Sequence, residues 1–81
     1  MEKIKAKVAE LIAIYNAQYP DFDFSDITVK MNGRLTSTAG RAWLSDAVVE
    51  FSTSLYAANS EAFLADTVPH EVAHIVAFRA F

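Results

Sequence analysis

Two histidines stand four residues apart in His70-Glu71-Val72-Ala73-His74, with a glutamate directly after the first. Types and spacing together form H-E-x-x-H, a pattern that serves metal-assisted hydrolysis. On an α-helix a four-residue step turns through 400°, so the two imidazoles share a face, about 40° apart in angle and about 6 Å apart along the axis. Both ring nitrogens can then reach one ion. Zinc takes neutral nitrogen donors at about 2.0–2.1 Å, and a catalytic site reserves one of its four positions for water. Glu71 is the candidate acid/base that takes that water's proton, and His70 and His74 are the candidate metal ligands. These are the only two histidines in 81 residues. Random placement would set them four apart, with one of the five glutamates beside the first, roughly 0.1–0.2 % of the time.

Two imidazoles supply only half of a tetrahedral shell, and a catalytic zinc needs one more protein ligand. The chain offers no further histidine and no cysteine. Asp66 lies four residues before His70, about 12 Å along an unbroken helix from His74, although a bend at Pro69 would bring it nearer. Asp46 and Glu50 are topologically possible. We rank Glu50 and Asp46 below a ligand from outside these residues or from a second copy of the chain.

The elements that must hold this motif follow from periodicity. From Glu2 to about Gln18, Ile4, Val8, Leu11, Ile12 and Tyr15 recur at steps of three and four, the stripe of an amphipathic helix that Pro20 ends. Asp21 to Asp26 alternates polar and aromatic residues as a loop whose two phenylalanines cover the core edge. Ile27, Val29 and Met31 alternate with polar residues as a strand, and Asn32-Gly33 supplies a turn that tolerates positive φ. Arg34 to Gly40 is left as loop or irregular edge. Arg41–Ser45 and Ala47–Phe51 read as an antiparallel hairpin, and a short helical piece is expected around Ser54–Ala57. Asn59 or Ser60 then caps the motif helix, with Glu61 in its first turn. Pro69 predicts a kink or a fresh helix start. The motif helix is apolar over most of its circumference, which predicts a central position. The fold class is therefore α+β: an N-terminal helix, a small antiparallel sheet of about three strands and a C-terminal helix carrying the histidines.

Composition narrows the function classes. The chain is 53 % hydrophobic and 12 % aromatic, enough for one small core and no second domain. A net charge of −3 and scattered basic residues argue against nucleic-acid binding by this segment. No run resembles a membrane span or secretory signal, and the absence of cysteine suits a reducing compartment, so a cytoplasmic location is expected.

The runs Gly40-Arg41-Ala42-Trp43-Leu44, Asn59-Ser60-Glu61-Ala62-Phe63 and Val68-Pro69-His70-Glu71-Val72-Ala73-His74-Ile75-Val76 together resemble the SprT-like metallopeptidases, the group that includes the Spartan proteases. The resemblance covers about residues 27 to 81. It implies a minimal zincin fold with an edge strand along the substrate cleft, His70 and His74 on zinc, Glu71 as acid/base, and a protein or peptide substrate. Members carry a third histidine after the motif helix, in a His-Gly pair, and many add a zinc ribbon or DNA-binding region. This chain has neither. It also shows Glu50-Phe51-Ser52-Thr53 where the family commonly has a polar strand end with asparagine. Ala77-Phe78-Arg79-Ala80-Phe81 lacks a helix stop signal, so we expect a longer natural protein or a partner over this end. The competing reading is a catalytically inactive scaffold that binds a partner or self-associates through Phe78 and Phe81. For Trp43, a core position is expected over a role in the cleft.

Overall fold

In the computed structural model, which describes all 81 residues, helix α1 (Glu2–Gln18) is followed by strands β1 (Thr28–Asn32), β2 (Gly40–Trp43) and β3 (Val48–Ser52). A short helix α2 (Thr53–Ala58) leads to a long helical run made of α3 (Ser60–Ala62), a π-helical turn (Phe63–Thr67) and α4 (Val68–Ala80). The architecture is the expected α+β layer pair, with α1 and α4 on one face of a three-stranded sheet.

The strand order is β1-β3-β2. β2 and β3 form the expected antiparallel hairpin, with Arg41 opposite Glu50 and Trp43 opposite Val48. β1 differs: it joins β3 in parallel, Lys30 opposite Glu50. The sheet is therefore mixed, because the chain leaves β1, crosses the end of β3 and returns through β2, inserting β3 between its two predecessors. Asn32-Gly33 does open a turn, closed by the Leu35 amide on the Asn32 carbonyl at 3.3 Å and by the Arg34 amide on Asn32 Oδ1 at 2.9 Å. No positive φ is used there. The one residue in that region is Ala47, φ 56°, which ends the hairpin turn and hands its carbonyl to the Thr28 amide.

The core lies between sheet and helices. Ile4 and Val8 of α1, Ile27, Val49, Phe51, Phe63, and Val68, Val72, Ile75 and Val76 of the long helix are all buried. Leu11, Ile12, Tyr15 and Tyr19 continue the α1 stripe as half-buried contacts. Phe24 is fully buried, and Asn16 fixes its loop by accepting the Phe24 amide at 2.8 Å. Arg79 holds the far end of α4 to the same loop, with one nitrogen 2.7 Å and the other 3.0 Å from the Asp26 carboxylate.

Three expectations are corrected. Trp43 is not a core indole: it is 46 % exposed, on the sheet face opposite the helices, because β2 turns its odd-numbered side chains that way. Asn59 starts the motif helix without a side-chain cap, whereas Ser52, not expected as a cap, caps α2 by accepting the Leu55 amide. The motif helix buries only one flank. His70, His74, Ala77, Phe78 and Phe81 form an open stripe, with Phe78 58 % and Phe81 84 % exposed.

Candidate metal centre

Pro69 is what the helix must accommodate before the histidines. In an unbroken α-helix its ring would meet the carbonyl four residues back and its missing N–H would leave a gap. The chain widens one turn instead: the Val68 amide reaches back five residues to the Phe63 carbonyl, and α4 begins with Pro69 in its first turn, where no donor is needed. The fresh helix start expected at Pro69 is thus realised without interrupting the rod.

Beyond it, four-residue spacing sets His70 and His74 one above the other. Their Nε2 atoms are 3.0 Å apart and their rings stand at 88° to each other, both exposed. That is hydrogen-bonding distance, with the donor set by the tautomers of the two rings. Two nitrogens bound to one tetrahedral zinc at about 2.0–2.1 Å would lie about 3.3 Å apart. The pair fits two positions of such a shell. No third histidine, cysteine or carboxylate in the chain joins them.

The internal alternatives fail for different reasons. Glu50 is 2 % exposed, but its carboxylate lies on the opposite face of the sheet, where it accepts from Arg41 Nε, from Trp43 Nε1 at 3.2 Å and, through its other oxygen, from Asn32 Nδ2 at 3.0 Å. The Arg41 hydrogen bond, against the cost of burial and with help from Asn32 and Trp43, holds this carboxyl below the usual carboxylate range. Asp46 sits in the hairpin turn and lines a cleft with Lys30, Trp43 and Val48, which contains neither histidine. Asp66 does line a cleft with His70, yet it completes no ligand cluster.

Glu71 faces inward, 8 % exposed, where α4 crosses the start of β2. The crossing is close because residue 40 has no side chain. A β-carbon there would lie 2.8 Å from Phe51 Cδ1, 3.1 Å from the Glu50 carbonyl oxygen and 3.2 Å from Glu71 Cγ. Two shallow clefts meet at this point. One, about 370 Å³, is lined by Thr38, Ala39, Gly40, Asp66, His70 and Glu71; the other, about 300 Å³, by Gly40, Arg41, Ala42, Leu44, Glu71 and His74. Gly40 and Glu71 belong to both, so Glu71 stands midway along a groove beside β2, with one histidine at each side. A larger hollow between α1 and the π-turn, lined by Lys3, Lys7, Glu10 and Glu61, holds no comparable donor set.

The geometry can be set beside known proteins. The SprT-like family model matches residues 8–81. Protein SprT of Vibrio atlanticus (strain LGP32) is 30 % identical over 80 residues, 98 % of this chain and 46 % of its own length. Protein SprT of Escherichia coli O1:K1 / APEC is 30 % identical over 81 residues, again 46 % of its own length. Protein SprT of Pseudomonas syringae pv. tomato is 51 % identical over 43 residues, 53 % of this chain. The chain thus spans about half the length of the curated relatives it matches. No solved structure matches it.

Proposed function

The chain belongs to the SprT-like family, and from that premise we propose that it is the catalytic segment of a zinc-dependent peptidase, with His70 and His74 as metal ligands and Glu71 as general acid/base. The observation that carries this reading is the meeting of the two Nε2 atoms at 3.0 Å beside a groove into which Glu71 is set. Zinc, when bound, supplies a Lewis acid for the scissile carbonyl and acidifies the attacking water. Glu71 accepts the proton of that water and returns it to the leaving amine. Its burial against Gly40 fixes the carboxylate and limits solvent around it. The unpaired side of β2 binds the substrate backbone as an added strand, which lays the peptide along the groove. The two imidazoles leave one protein position of a catalytic shell to be filled, and no cluster within the chain fills it.

A second reading is supported by the open Phe78 and Phe81 and by the two-donor count: a scaffold that binds metal or a protein partner without hydrolysis. Zinc titration with a hydrolysis assay on an unfolded protein separates the two. The peptidase reading expects zinc to be lost in both His70→Ala and His74→Ala, and Glu71→Gln to keep zinc while losing hydrolysis. Zinc retained by either histidine variant, or full hydrolysis by Glu71→Gln, would overturn it. Zinc binding with no hydrolysis would establish the scaffold.

A further inference from the structure

Glu50 is the one fully enclosed charge on the sheet, and the proposed reaction does not use it. It sits on the central strand, on the face away from the helices, and takes donors from both neighbours: Asn32 on β1, Arg41 and Trp43 on β2. A single layer of side chains covers it, since Arg41 is itself 48 % exposed and Trp43 46 %. The consequence falls on β2. That strand is an edge, and exposed edges are ordinarily blocked by long charged side chains, lysine and arginine above all. Arg41 is the residue placed to do this, as the only charged side chain in Gly40–Trp43. It does not, because its guanidinium is drawn back over β3 to Glu50 and stacks on the Trp43 ring, 5.0 Å from the centroid. Trp43 is drawn the same way through its indole N–H.

We infer that Glu50 is a positioning residue for substrate: by holding Arg41 and Trp43 over the central strand it keeps the free backbone edge of β2 open to an extended peptide. The inference rests on the reading of β2 as the substrate strand, but it concerns peptide binding alone and needs neither zinc nor turnover. Released from Glu50, Arg41 swings across the edge and competes with the incoming strand, both by its bulk and by the water it carries.

Trp43 is the only tryptophan, so its emission reports binding directly. The zinc-free chain is titrated with a soluble peptide of alternating threonine and alanine, and zinc uptake is measured separately on the same preparations. The wild type is expected to bind saturably. Glu50→Leu should weaken the peptide about fivefold, a change of about 1 kcal/mol, and leave zinc uptake as it was. Arg41→Ala/Glu50→Leu should restore affinity to within about twofold of wild type, because no arginine remains to cover the edge. A merely structural Glu50 would make the double variant no better than the single. Glu50→Gln, which keeps an acceptor for the indole but loses the charge, should shift affinity in the same direction as Glu50→Leu, and serves if the leucine variant does not fold. No Trp43 response to peptide, undiminished binding by Glu50→Leu and Glu50→Gln, or failure of the double variant to recover would each overturn the inference. Loss of zinc from the histidine variants is independent of all three, so the peptidase reading and this one fail separately.

Discussion

Replacing Gly40 by alanine probes the contact on which the groove depends. The new methyl would stand 2.8 Å from Phe51 Cδ1 and 3.1 Å from a backbone oxygen of β3. Neither neighbour can yield easily: Phe51 is fully buried with its ring against Phe63, centroids 5.5 Å apart, and the carbonyl belongs to the central strand. Forcing a methylene into such packing costs about 1–3 kcal/mol. Against this, alanine restricts the unfolded chain and, with no positive φ at Gly40, returns about 0.4–1 kcal/mol. The expected net loss is about 1–2 kcal/mol, from a total of about 4–12 kcal/mol for a domain of this size. In thermal unfolding followed by circular dichroism that is a fall in Tm of about 4–16 °C. The third contact, Glu71 Cγ at 3.2 Å, is relieved by moving α4 off β2, which carries Glu71 out of line. On the proposed peptidase reading, hydrolysis should therefore fall while zinc uptake, assigned there to the exposed histidines, stays. Gly33→Ala is the control, with nothing within 4 Å of its added carbon, and should be neutral or slightly stabilising. A Gly40→Ala protein melting within about 2 °C of wild type would refute the close-approach reasoning.

Ser52→Ala should cost about 1–2 kcal/mol in urea unfolding, since Ser52 Oγ both caps the Leu55 amide and donates to the Leu35 carbonyl while fully buried. Glu50 has a folded pKa held below its unfolded value by Arg41, so its contribution is fully present above the unfolded value of about 4.3 and is lost as pH falls through the folded one. Chemical unfolding of Glu50→Gln across pH 7 to 3 should show a deficit of about 1 kcal/mol at neutral pH that closes in acid; a deficit constant with pH would contradict it. Asp26 follows the same sign, lowered by the Arg79 hydrogen bond. Because Asp26 is exposed, Asp26→Asn should cost less than about 1 kcal/mol at pH 7, and high salt should shrink that difference.

Legibility divided by range. The α1 stripe, the β2–β3 hairpin and the histidine spacing are local patterns, since a helix repeats every 3.6 residues and a strand every two whatever lies beyond. They gave the α+β class, the strands close to their observed limits, and the placing of His70 and His74 on one face. Pro69 likewise announced a discontinuity, though not that a π-turn would absorb it. The direction of β1 was not readable, because Ile27, Val29 and Met31 alternate equally well in a parallel or an antiparallel pair. Trp43 was misplaced for a related reason: alternation says which residues share a face but not which face meets the helices.

By itself, then, the sequence determined the chemistry available at positions 70, 71 and 74 and the helix that presents it. Only the tertiary structure decided that Gly40 lets this helix approach β2, that Glu50 turns from the histidines to gather Arg41, Trp43 and Asn32, and that β2 ends as an open edge. Those outcomes depend on which strand lies beside which. Strand order is settled by burying Val49, Phe51, Val72 and Ile75 in one core, a condition on the whole chain that no local window contains.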